Sequence, residues 1–182
     1  MVVVVTFLRA RPSRVELKNG EALIRSRAMA MAPGAGPQVK FQSEYVLNLW
    51  DTWEKIDIRP KSCIYEVTSQ LADDSSCTLE AECVVAIPAH EDSVLRAAAT
   101  LGVERASSQD AVRETFHYPL VESIQTALAK CTPEYLSTDR ESFCDVLVEL
   151  TSFYLRDRGF EIQSVEIRKV RLHKKAGEPW TP

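Results

Sequence analysis

No apolar run in the sequence approaches the roughly 18 to 20 residues that a membrane-spanning helix requires. The longest, Val2 to Leu8, is interrupted by Thr6. No CxxC pair occurs, and the five cysteines (Cys63, Cys77, Cys83, Cys131, Cys144) are an odd number in a chain large enough to need no staples. This argues against a disulfide framework or a zinc site and for a reducing compartment. The Lys-Ser/Thr of a P-loop is missing beside Pro33-Gly34-Ala35-Gly36-Pro37, which therefore reads as a plain loop. EF-hand spacing, internal repeats and blocks of five or more like charges are absent as well. So are the lipid-anchor signals: residue 2 is Val2 rather than glycine, there is no CaaX box, and no cysteine precedes Cys63. Any membrane contact is expected to be peripheral or carried by a partner.

What is present is a globular composition. Hydrophobic residues are 45% and charged residues 26% of 182, which excludes collagenous, low-complexity and wholly disordered chains and predicts one core. The net charge of −4 hides an uneven distribution. Residues 1–40 hold seven Lys/Arg against two Glu, residues 41–159 ten basic against 21 acidic, and residues 160–182 five basic against three acidic. Both ends are basic. Brought together, Arg9, Arg11, Arg14 and Lys18 with Arg168, Lys169, Arg171, Lys174 and Lys175 would form a patch drawn to anionic lipid or an acidic partner; apart, they are solvated strand faces and a tail. Nucleic-acid binding is not expected, because the global charge is negative and no aromatic residues interleave with the basic ones. The first fifteen residues carry three arginines and no acid, as organellar transit peptides do, and are expected to be retained rather than cleaved.

Periodicity gives the elements. Val2–Leu8 is β-branched and reads as a strand or an anchor strip. Asn19-Gly20 is a turn signal, so Val15–Leu17 and Ala22–Arg27 are expected to pair as a hairpin. Short strands are expected from Val39 to Ile64, with Tyr45, Leu47, Leu49, Ile56 and Ile58 alternating and Trp50 and Trp53 near a turn. Ile64–Thr68 and Cys77–Ile87 read as strands separated by the turn Ala72–Ser76. In the second, Cys77, Leu79, Ala81, Cys83, Val85 and Ile87 face inward while Thr78, Glu80 and Glu82 face out.

A helical region follows. His90–Leu101 closes at Gly102, and Ser107 or Ser108 caps a helix with the stripe Val112, Phe116, Leu120, Ile124, Leu128. Pro119 is expected to kink or split it. Thr132-Pro133 starts a short turn, and Thr138-Asp139-Arg140-Glu141 reads as a capping box opening Asp139–Arg158. The core stripe of that helix is expected to be Phe143, Val146, Leu147, Leu150 and Tyr154, with Gly159 as its terminator. A last strand, Phe160–Leu172, slips its alternation after Ile162 and after Ile167, which predicts bulges there. Strands, then helices, then a returning strand make an α+β fold: a mostly antiparallel sheet of N-terminal strands plus one C-terminal strand, packed by three to four helices.

The chemistry-bearing residues do not converge in sequence. His90, His117 and His173 fall at a helix start, mid-helix and a strand end, with no spacing that pairs them with a nucleophile. Asp73-Asp74, Glu91-Asp92 and Glu80/Glu82 suit turns and an outward strand face rather than acid–base catalysis. No catalytic, metal or cofactor residue is assigned, and no cofactor is expected. The competing reading is a small cysteine-dependent enzyme or ligand-binding domain using Cys131 or Cys144 near helix ends.

Leu95–Gly102 (LRAAATLG), Thr132–Phe143 (TPEYLSTDRESF), Arg158–Val170 (RGFEIQSVEIRKV) and the opening Asn19–Ile24 resemble, in order, the SPFH or band seven domain, nearest in pattern to its flotillin branch. The resemblance covers about residues 15–172, leaving 1–14 as an N-terminal strand or anchor extension and 173–182 as a C-terminal tail. It implies an SPFH-like domain without catalysis, lying on a membrane surface and assembling with other protein subunits or with itself. Relatives continue into a coiled coil, and no heptads occur here, so an accessory structural subunit of a hetero-complex is expected ahead of a self-assembling ring. Its contacts are expected at the basic ends and at Trp180. The expected location is intracellular and membrane-associated, in an organelle such as the mitochondrion or plastid.

Overall fold

In the computed structural model, residues 13–27, 37–46 and 51–173 are described. The Val2–Leu8 segment, the Pro33–Gly36 loop, Leu47, Leu49, Trp50 and the tail from Lys174 lie outside them. Five short strands come first: β1 (Ser13–Val15), β2 (Glu21–Arg27), β3 (Gln38–Lys40), β4 (Glu44–Val46) and β5 (Asp51–Asp57). Two long ones follow, β6 (Lys61–Gln70) and β7 (Ser76–Ala86). The helices are α1 (Glu91–Leu101), α2 (Val103–Ser107), α3 (Gln109–Leu128), α4 (Pro133–Thr138) and α5 (Arg140–Arg156). β8 (Glu161–His173) returns to the strands.

The α+β order is as expected, but the single sheet is not. Among the described residues the strands form separate antiparallel sheets, β3-β2-β5 and β6-β7-β8, with β1 and β4 as an isolated pair. The C-terminal strand returns, as expected, to a strand that precedes the helices, joining β7, but not to β1–β5. One apolar core nevertheless runs through both three-stranded sheets and the helices, from Ala22, Ile24, Val39 and Ile56 to Phe116, Phe143, Leu147 and Phe160.

The Asn19-Gly20 turn forms, with Gly20 at φ 82°, yet the hairpin expected around it does not. β1 pairs with β4, while β2 is flanked by β3 and β5, which bring Val39 and Ile56 against its buried Ile24 and Ala22. The Gly20 carbonyl accepts the Ile58 N–H at 2.8 Å, so the turn closes onto the end of β5. That corner also holds Lys61, which is 5% exposed. Its Nζ donates to the carbonyl oxygens of Asp57 (2.9 Å) and Arg59 (3.2 Å), which satisfies a buried cation that would otherwise be costly. Burial holds the Lys61 ammonium below its ordinary pKa.

β7 alternates as its sequence predicts, with Cys77, Leu79, Ala81, Cys83, Val85 and Ile87 all buried. The bulges of β8 fall at Gln163 and Arg168, where the register against β7 skips a residue. Gly102 stands at φ 82° after α1, but a second helical turn, α2, follows it where none was expected. Ser108 caps α3 through the Ala111 N–H, and Thr132 caps α4 through the Tyr135 N–H. α3 runs through Pro119 as one helix rather than splitting. The cap of α5 is Asp139, whose carboxylate accepts the Ser142 N–H at 3.2 Å. Thr138 closes α4, so the four-residue box anchored on Thr138 does not form.

α5 differs from expectation in phase. Its buried residues are Phe143, Leu147, Thr151 and Leu155, spaced four apart. Val146 and Tyr154, expected in the core, are 42% and 43% exposed, and Leu150 is half-buried. Thr151 takes a core position because its hydroxyl donates to the Leu147 carbonyl at 2.7 Å, which leaves the side chain satisfied without water.

Candidate interaction surface

Of the ten residues expected to make contacts, Arg9, Arg11, Lys174, Lys175 and Trp180 lie outside the described residues. Arg14 and Lys18 are exposed at the β1 end of the molecule. Arg14 pairs with Glu16 at 3.7 Å, and the Lys18 N–H donates to the Glu21 carboxylate at 2.9 Å. Arg168, Lys169 and Arg171 are exposed on β8. No hydrogen bond or ion pair among the described residues joins the two groups.

The β8 cations also face acids of their own sheet. Across the outward face, Glu66 stands opposite Glu80, and Glu80 opposite Lys169; Glu82 stands opposite Glu166, and Thr78 opposite Arg171. Arg168, set free by its bulge, donates through Nε to Glu82 at 2.7 Å, and the Ser62 hydroxyl donates to the other oxygen of Glu82. These bonds, that from Ser62 first, hold the Glu82 carboxyl below the usual carboxylate range. Farther along, Thr68, Thr78 and His173 form a ladder of 2.9 Å bonds. This face is polar and charge-balanced, and the structure does not bring the expected basic patch together among the described residues.

An apolar surface lies instead on the helical layer. α5 carries two adjacent stripes, one buried and one built from Val146, Leu150, Phe153 and Tyr154 on the helical i, i+4, i+7, i+8 spacing. Phe153 is 77% exposed, and Tyr118 on α3 is 83% exposed. Val146 and Leu150 form one wall of a groove of about 410 Å³ whose other walls are Ala127, Cys131, Tyr135 and Phe143. On the other side Phe153 borders a cleft of about 520 Å³ with Arg96, Glu149, Ser152, Arg156 and Asp157. The arrangement is an apolar strip with a charged margin, the layout of a protein–protein contact. Sequence reasoning missed it by placing Val146, Leu150 and Tyr154 in the core. The available signal was excess: α5 has more large apolar residues than one helix face can bury.

The chemistry of the thiols points away from catalysis. Cys63, Cys77, Cys83 and Cys131 are buried and Cys144 is half-buried. Burial pushes all five up from the ordinary thiol pKa, Cys83 to about 12, whereas a nucleophilic thiol needs the opposite shift. Cys63 and Cys83 face each other across β6 and β7 as core residues. A thiol reagent at about pH 8 should modify Cys144 first, the remaining four reacting only on unfolding. Rapid labelling of Cys63 or Cys83 in the native protein would overturn this placement. Of the histidines, His117 is exposed on α3 with its ring near Tyr65 and Tyr118, His90 begins α1, and His173 bonds Thr78. No group of three potential metal ligands occurs among the described residues.

Among these residues no helix is long and apolar enough to cross a membrane. The chain matches no protein-family model, and none of the curated proteins is significantly similar to it in sequence.

Proposed function

We propose that this chain is a non-catalytic assembly domain of SPFH type, an accessory structural subunit of a larger membrane-associated complex in an organelle such as the mitochondrion or plastid. The observation that carries the reading is the exposed apolar strip Val146, Phe153 and Tyr154 of α5, with Leu150 between them packed against the core, because an exposed apolar surface with a polar rim marks a contact site. The order of elements supports the family reading. So do the helix starts at Thr132 and Asp139 and the Gly159 terminator, which belong to the stretches that carry the resemblance. The raised thiols speak against a cysteine-dependent enzyme. Because the β8 cations face glutamates, attachment to the membrane through a partner is favoured over direct binding to anionic lipid.

The test is the native mass of the tagged full chain after mild detergent extraction, with identification of co-migrating proteins. A discrete species well above 20.5 kDa that contains other proteins is the expected result. Phe153→Asp should collapse it without changing circular dichroism. A large species made of this chain alone would favour the self-assembling ring, and a wild-type chain migrating at its own mass would refute the assembly reading.

A further inference from the structure

β8 is a 13-residue strand at the margin of its sheet, and no other described strand pairs with its far side. The opposite margin, β6, is partly closed: the Gln109 side chain donates to the Ser62 carbonyl at 2.7 Å. A long free edge is a template for another strand. The charges on β8 select which one. Its first half carries Glu161 and Glu166, its second half Arg168, Lys169, Arg171 and His173. An antiparallel copy of the same strand sets the acidic half against the basic half, whereas a parallel copy sets like against like.

The bulge at Arg168 fixes the register. Because it inserts one residue, Glu166 and Lys169 both lie on the outward face although they are three apart, and Val165 and Val170 both lie on the core side. An antiparallel copy centred between Ile167 and Arg168 therefore sets Glu166 opposite its Lys169, Val165 opposite its Val170 and Ser164 opposite its Arg171, each pair on one face, with the two Arg168 bulges meeting at the axis. Arg168 is already engaged by Glu82, while Lys169 and Arg171 have no ion pair among the described residues. The pairing would also cover the half-buried Val165 and Val170. We propose that two copies of this chain associate through β8, antiparallel about a two-fold axis at Ile167 and Arg168, to make one continuous sheet of six strands. This deepens the assembly reading and rests on it in supplying the self-contact of such a subunit.

Sedimentation velocity on the purified full chain reads the association directly. The wild type should be a dimer at about 100 µM and should weaken in high salt. Glu161→Lys with Glu166→Lys leaves β8 with no acidic residue; Lys169→Glu with Arg171→Glu leaves it acidic at four positions, with Arg168 held by Glu82. Each double variant should sediment as a monomer, and an equimolar mixture should recover the dimer. A wild-type monomer, or a dimer that survives in either double variant, overturns the proposal. Hydrogen exchange on the wild type gives a check without substitutions. Amides in 164–171 should lose protection on dilution to the monomer, and protection unchanged by dilution would overturn the pairing. Because purified protein is used, a negative result here leaves the native-mass test of the hetero-complex standing, and a negative result there leaves the dimer measurable.

Discussion

Replacing Gly159 by alanine should lower the stability of the fold by about 4 kcal/mol, a fall in melting temperature of roughly 8–16 °C for a chain of this size. Two effects add. Gly159 has φ 81°, which L side chains rarely adopt. It ends α5 by donating its N–H to the Arg156 carbonyl at 3.1 Å while Phe160 donates to Leu155 at 2.9 Å, the paired bonds of a Schellman terminator. The second effect is space. A Cβ on Gly159 would collide with the Ser93 carbonyl oxygen and come within 2.6 Å of the Ala97 nitrogen, both backbone atoms of α1 that cannot turn away. Gly102 supplies the control, since it has φ 82° with nothing within 4 Å of its Cβ position. Gly102→Ala should show the strain alone, about 1–2 kcal/mol. Thermal melts of the two variants within a degree or two of each other would show that α1 does not rest on Gly159.

What could be read from the chain beforehand follows a physical line. Gly102 and Gly159, the caps Ser108 and Thr132, the inward face of β7 and both β8 bulges were legible because each is set by a few neighbouring residues. The bulges show this well: one slip of the apolar alternation is one extra residue, wherever the partner strand lies. The pairing of β2 was not legible. Asn19-Gly20 makes its turn whatever follows, but which strand takes each edge of β2 is decided by Val39 and Ile56, far away in sequence. Nor could the division into separate sheets be read, since residues 58–60 break the strands between Asp57 and Lys61 through a buried lysine whose partners are backbone carbonyls. A lysine in sequence reads as surface.

The contact surface was missed for a related reason. A stripe of five apolar residues was available on α5, and its members are divided between two adjacent four-residue stripes; only the packing against α3 and β8 decides which stripe is buried. Once it is chosen, Phe143, Leu147 and Leu155 hold the fold, Leu150 packs against the core from its margin, and Val146, Phe153 and Tyr154 are left exposed for something outside the described residues or for another molecule. On the outer face of β6-β7-β8, Arg168 is bonded to Glu82, while Lys169 stands opposite Glu80 and Arg171 opposite Thr78 without an ion pair among the described residues.

Leu147→Asp and Leu150→Asp, three residues apart on one helix, should therefore part company. Leu147 is 1% exposed, so its replacement removes a buried side chain, worth about 2–5 kcal/mol by the alanine measure, and adds an unpaired carboxylate. Against a total stability of about 5–15 kcal/mol this should leave the protein unfolded or molten at room temperature. Leu147→Ala should remain folded and melt lower. Leu150 is half-buried on the groove wall, where a carboxylate keeps contact with water, so Leu150→Asp should cost about 1–2 kcal/mol and keep the native circular dichroism. Its effect should appear in the native mass, which should fall as it does for Phe153→Asp. If Leu150→Asp unfolds the protein while Leu147→Asp does not, α5 is rotated from the phase described here, and the apolar strip goes with it. If both variants fold and both keep the native mass of the wild type, the helix carries neither the core nor the contact.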